Sequence, residues 1–142
     1  MERVDPVLKR IADRRLTAAV CRVAQCKLAL WLLTDGVPMR LDGRPEGSYC
    51  TVKVTRSGRL AVYEVLGNGE KRQLRSKSLL AAVSRRLSGA LDVVRACRYD
   101  VEAVSAELSK ALETLAKAKA ALRGGNSPLR GGNSPLRGGS SA

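Results

Sequence analysis

Residues 80–122 read LAAVSRRLSGALDVVRACRYDVEAVSAELSKALETLAKAKAAL. Alternating steps of three and four pick out Leu80, Val83, Leu87, Ala90, Val94, Cys97, Val101, Val104, Leu108, Ala111, Leu115, Ala118 and Leu122. All are apolar, and no proline interrupts them. A heptad held this long predicts a helix whose seam faces another helix. At 1.5 Å per residue such a helix, over 78–122, is roughly 64 Å long. Ser76 or Ser78 is its expected N-cap. Gly89 is its weak point, costing about 1 kcal/mol relative to alanine and allowing a bend. The alternative is a break near Gly89 or Asp100 that lets the chain fold back over its own seam.

Upstream, the pattern changes period. Tyr49–Thr55 alternates and is rich in β-branched residues, Arg56-Ser57-Gly58-Arg59 reads as a turn, and Leu60–Leu66 is a second strand. On that strand Leu60, Val62, Glu64 and Leu66 share one face, and Ala61, Tyr63 and Val65 share the other. Gly67-Asn68-Gly69-Glu70 is a strong turn signal, and Lys71–Arg75 is a candidate third strand. Residues 35–48, with Gly36, Pro38, Gly43, Pro45 and Gly47, read as a loop.

Before that loop lies a first helix over 6–34. It opens at Asp5-Pro6 and ends at Asp35-Gly36, with Pro38 beyond. Its seam runs Ala12, Leu16, Ala19, Val23, Cys26, Leu30, Leu33. The expected class is therefore α+β, mainly α: helix, β-hairpin or meander, then a long helix, with an antiparallel coiled-coil-like helical pair in one domain over 1–122. Pairing Leu33 with Leu80 and counting outward sets Ala12 near Val101. Leu108, Ala111, Leu112, Leu115, Ala118 and Leu122 then have no partner in the chain. An exposed apolar stripe of that length is costly, so a homo-oligomer or a helical protein partner is expected there.

Residues 123–142 form a tail of heptapeptide repeats, Leu-Arg-Gly-Gly-Asn-Ser-Pro starting at Leu122 and again at Leu129. Gly, Ser, Asn and Pro build no core, so the tail is expected to be disordered or ordered only by a partner. Its Arg-Gly-Gly units at Arg123, Arg130 and Arg137 resemble the RGG segments of RNA-binding proteins. In those, arginine contacts phosphate and stacks on bases. This tail departs from that pattern in having few repeats and no interleaved aromatics.

The formal charge of +13 is unevenly spread. Residues 49–99 hold eleven Lys/Arg against three Asp/Glu, giving +8, while 100–122 hold three against four, giving −1. Clustered basic charge attracts polyanions. Lys71, Arg72, Arg75, Lys77, Arg85 and Arg86, with Lys53, Arg56 and Arg59 on the hairpin, are the candidate phosphate contacts, and Arg123, Arg130 and Arg137 are auxiliaries. Tyr49 and Tyr63 lie on the same strands, where tyrosine either stacks on bases or packs. Binding of this kind, to RNA or DNA, is weakly sequence-selective.

The chain has no histidine and so lacks the commonest general base and metal ligand. Cys21, Cys26, Cys50 and Cys97 form no C-x-x-C pair and read as reduced thiols. No phosphate-binding loop, dinucleotide fingerprint or nucleophile elbow is present. Neither an enzyme, a cofactor, a metal nor a small-molecule substrate is expected. Residues 1–15 are rich in charge, and the apolar stretch 28–33 is short of a bilayer span. The expectation is an intracellular protein, not secreted and without a membrane partner. It is either a small basic nucleic-acid-binding oligomer or a structural component of a virus particle or other large assembly, held by its distal seam and tail.

Overall fold

A computed structural model describes residues 6–124. The elements are α1 (Pro6–Leu33), β1 (Val37–Met39), β2 (Tyr49–Val54), β3 (Leu60–Val65), β4 (Lys71–Leu74), α2 (Lys77–Arg86), α3 (Ser88–Ala96) and α4 (Val101–Gly124). The class is α+β and mainly helical. The described residues divide into two compact units, one of 6–22 with 111–124 and one of 23–110.

In the larger unit the strands form an antiparallel meander in the order β1-β2-β3-β4. Two hairpins use the same three-residue loop, Arg56-Ser57-Gly58 and Gly67-Asn68-Gly69, each ending on a left-handed glycine (φ +84° and +88°). Each loop is closed by a backbone bond of 2.8 Å, from Thr55 N to Arg59 O and from Leu66 N to Glu70 O. The loop expected over 35–48 is corrected in part, because Val37–Met39 pairs with Val52–Cys50 as an edge strand. Its Pro38 is tolerated there because an edge strand leaves one row of amides unpaired. At Gly36 (φ +92°) a Cβ would strike the Thr51 side chain, so the entry to β1 requires glycine.

The sheet has one buried and one open face. Val37, Cys50, Val52, Val62 and Glu64 alternate onto the buried face, where the last four are fully inaccessible. Val83 of α2, Val93 and Val94 of α3, and Cys26, Ala29 and Leu32 of α1 complete the core of this unit, and α2 packs on β3. In α1 the seam follows Ala19, Val23 and Cys26 as the heptad predicts. It then turns one position, burying Ala29 and Leu32 rather than Leu30 and Leu33.

The single helix expected over 78–122 is corrected: the chain forms three helices. Ser76 caps α2, its side chain accepting from Leu79 N. The first discontinuity is at Leu87 (φ −110°, ψ 18°), directly before Ser88-Gly89, the kind of pair at which helices kink. Gly89 also has a packing role, since a Cβ there would lie 2.5 Å from Nε2 and 3.1 Å from Cγ of Gln25 on α1. The second is a complete stop. Arg98 N donates to Arg95 O (3.0 Å) and Tyr99 N to Val94 O (2.9 Å), the paired bonds of a Schellman motif. Arg98 (φ 54°) occupies the left-handed position where glycine is usual, followed by Tyr99 at φ 62°. Asp100 then starts α4 by accepting from Glu102 N at 3.1 Å. The heptad survives both breaks in burial: Val83, Leu87, Ala90, Val94, Val104 and Ala111 are all buried.

The smaller unit supplies what the sequence count left without a partner. Residues 111–124 of α4 cluster with residues 6–22 of α1. Ala118 and Ala121 line one shallow groove with Leu8, Ile11, Ala12 and Arg15, and another with Arg15, Ala18, Ala19 and Arg22. Ala12 therefore lies near Ala118, and the expectation that it neighbours Val101 is corrected. The physical reason is the two breaks, since residues 77–100 do not run on as one rod and α4 meets α1 further along. Ala111 and Ala19 are buried, Leu115, Ala118 and Leu122 are half-buried, and Leu112 stays 44% exposed.

By length and composition alone α1 meets the requirement for a membrane-crossing helix, as core helices of soluble proteins also do. The short apolar stretch counted in the sequence understated it. All four cysteines are free thiols.

Candidate nucleic-acid interface

The open face of the meander carries the strongest group of candidate side chains. Register sets Thr51 opposite Tyr63 and Tyr63 opposite Gln73 on one rung. The next rung holds Tyr49, Val65 and Lys71, and Lys53 sits opposite Ala61 on the other side. Ala61 and Val65 are the small, buried floor between larger neighbours. Over Val65 lies a shallow groove of about 400 Å³, lined by Tyr49, Thr51, Lys53, Tyr63, Val65 and Lys71, with Asp35 at its margin. Tyr49 is 47% exposed, Tyr63 is half-buried, and both lysines are exposed. Asp35 is the single acid of the groove.

The remaining basic residues are dispersed. Arg56 and Arg59 belong to the β2–β3 loop, where Arg59 N donates to Thr55 Oγ1 at 3.1 Å. Arg75 donates to Gln73 Oε1 at 3.0 Å just before α2, and Lys77 is the first residue of that helix. Arg85 and Arg86 occupy the last turn of α2, a position that suits cations near carbonyl ends, and Arg86 Nη1 donates to the Arg40 carbonyl at 3.2 Å. Only Lys53 and Lys71 of the expected set line the groove. Arg123 is in the last turn of α4, in the other unit, and Arg130 and Arg137 lie outside the described residues.

Arg72, a candidate phosphate contact in the sequence, is also engaged within the fold. It alternates onto the buried face, where its Nε donates to Glu64 Oε1 at 2.9 Å. Glu64 also takes two bonds from Arg44, Nε to Oε2 at 2.7 Å and Nη2 to Oε1 at 2.8 Å. The Arg44 hydrogen bonds hold the Glu64 carboxyl down at about 2, against the opposing effect of burial, with Arg72 assisting. Reciprocally, the hydrogen bond to Glu64 raises the Arg44 guanidinium. Burial raises the neighbouring Cys50 thiol, and the Glu64 charge adds to it. The one available signal for this acid was its parity: Glu64 shares a strand face with Leu60 and Val62. Arg44 carried no signal, since it stands in a Gly/Pro-rich connection.

Tyr99 supports the same region from behind a turn. A Cβ at Gly58 would lie 3.0 Å from its ring, so the ring rests directly on the β2–β3 loop. Arg95–Asp92 (3.4 Å) and Lys110–Glu107 (3.2 Å) form ion pairs at the surface of α3 and α4. Among the described residues no group of three or more Cys, Asp or Glu is placed to hold a metal ion. No family model, curated protein or solved structure matches the chain.

Proposed function

We propose that the protein binds nucleic acid through the open face of its meander. The observation that carries this reading is the antiparallel register, which gathers Lys53 and Lys71 with Tyr49 and Tyr63 on one exposed face, in a stretch of charge +8. Lysines supply phosphate attraction without sequence information, and the hairpin arginines Arg56 and Arg59 extend the positive surface. Arg75, Lys77, Arg85, Arg86 and the tail arginines act as secondary contacts. The reading needs no cofactor and no catalytic group, and it suits an intracellular setting. Its test is a salt titration of binding to labelled RNA and DNA, with full-length protein and a Lys53→Glu/Lys71→Glu variant. The variant is expected to bind more weakly and to lower the logarithmic salt slope by about 1.4 to 1.8, from the usual 0.7 to 0.9 per phosphate contact. An unchanged slope rejects this face as the contact surface.

A second reading, an assembly component, is supported by exposed apolar side chains on the smaller unit: Leu8, Ile11, Val20 and Leu112 are each more than 40% exposed. In that reading 6–22 and 111–124 pair as a short coiled-coil-like module that docks on a copy of itself. A Leu8→Glu/Leu112→Glu variant is then expected to shift a sedimenting oligomer to monomer. Wild-type protein that is monomeric at all concentrations rejects it.

A further inference from the structure

We propose that the groove takes a single strand, RNA or DNA, whose unpaired bases stack on Tyr49 and Tyr63. This rests on the reading of the open face as a nucleic-acid surface and names the form of nucleic acid it accepts.

The first argument is width. Four strands spaced about 4.8 Å apart span roughly 14 Å between the outer two, before any side chain is added. The major groove of duplex DNA is about 12 Å wide and admits a helix or a two-stranded ribbon. This face is too broad to enter it. On the outside of a duplex it would meet phosphates alone, and its tyrosines would have nothing to stack on.

The second argument is the spacing of the rings. Tyr49 opposes Val65, and Tyr63 is two residues back along β3, so the two tyrosines are diagonal neighbours at about 7–8 Å. Stacked bases along one strand are separated by about 3.4 Å. Two rings twice that far apart receive bases that have been splayed out, which a single strand permits and a duplex does not. The small floor residue Val65 leaves the space beside Tyr63 that a planar base requires.

The third argument is the placement of charge. Lys53 and Lys71 lie on opposite sides of the tyrosine diagonal, so a strand passing over both rings has a cation on each flank. Asp35, which only accepts hydrogen bonds when ionised, suits an exocyclic amino group of a base and disfavours phosphate at the margin. Thr51 and Gln73 flank Tyr63 and offer both donors and acceptors without fixing a base identity.

The experiment is fluorescence polarisation with the full chain at one low salt concentration, using labelled oligo(dT), oligo(U) and a duplex of equal length. Single strands are expected to bind more tightly than the duplex. Tyr49→Leu and Tyr63→Leu should each weaken single-strand binding at least about fivefold, the low end of what one stacked base contributes, and weaken duplex binding by clearly less. Tyr49→Phe should retain it. Since Tyr63→Leu risks the fold, a second readout uses Tyr49→Trp in a Trp31→Phe background, where oligo(dT) should quench the new indole. Duplex binding as tight as single-strand binding, or an unquenched indole with bound oligonucleotide, overturns the inference and leaves the basic-surface reading standing. No binding of any probe at low salt overturns both. Whichever of oligo(dT) and oligo(U) binds more tightly is the preferred strand, and tighter binding than the duplex together with its loss in Tyr49→Leu upholds the stacking geometry.

Discussion

Arg44 holds Glu64 by both carboxylate oxygens, at 2.7 and 2.8 Å, across twenty positions of sequence. It thereby ties the β1–β2 connection to the buried face of β3. An ionised acid with no solvent access persists only when its lone pairs are satisfied, and Arg72 supplies the third bond.

The two arginines are therefore unequal. Arg44 makes two bonds and is 25% exposed, whereas Arg72 makes one and is 58% exposed. Arg44→Met is expected to lower the thermal midpoint by several degrees, and clearly more than Arg72→Met. Adding Glu64→Leu to Arg44→Met should recover part of the loss, because it removes the stranded charge. Equal effects of the two single variants would contradict this assignment.

The same pairing fixes a dependence on pH. Glu64 is lowered from the usual 4.5 to about 2 on folding, so the folded state binds fewer protons than the unfolded one between those values. Its contribution is fully present above pH 4.5 and is lost as pH falls toward 2. The gap in urea midpoint between wild type and Glu64→Gln should stay constant from neutral pH down to about 5, then shrink. A gap that stays flat down to pH 2.5 would count against the pairing.

The stop between α3 and α4 has two opposed parts. Arg98 adopts φ 54° in a position that favours glycine, so Arg98→Gly is expected to stabilise by about 1 kcal/mol. Asp100 caps α4, so Asp100→Ala should destabilise by about 1 kcal/mol. Chemical denaturation of the two variants checks both signs.

Gly89 offers a conditional effect. In an unobstructed helix, Gly89→Ala would stabilise by about 1 kcal/mol. Here the new methyl meets Gln25 from Nε2 back to Cγ, so the side chain must move as a whole. Gly89→Ala is expected to be neutral or destabilising in the wild type and stabilising in a Gln25→Ala background. A double-mutant cycle with no coupling would show that Gln25 moves aside freely.

Much of this architecture was legible because local chemistry agreed with it. Pro6 opens α1, Ser76 caps α2, and β2, β3 and β4 fall within a residue of where alternation and turn glycines put them. β1 was not legible because three residues containing Pro38 carry no alternation. The helix breaks were hidden for a different reason: the apolar heptad runs on in sequence through Leu87 and across 97–100, with Leu87, Val94 and Val104 buried although Cys97 is half-buried and Val101 exposed, so periodicity continues where the backbone does not. The cap signal at Asp100 was available, but no glycine marked the stop, since Arg98 fills that role. The groove was half legible. Tyr49, Tyr63, Lys53 and Lys71 follow from strand parity and register, while the diversion of Arg72 to Glu64 requires knowing which face is buried.

Helix α1 gives its first half to one compact unit and its second half to the other. Its early turns can find their partner only after the ribosome has passed Ala111, whereas the meander closes between neighbours in sequence. During synthesis Ala12, Leu16 and Ala19 therefore wait without cover while the sheet is already complete. Nascent chains of this protein should be most prone to chaperone capture at their beginning, and a chain cut short before α4 should be held there longest.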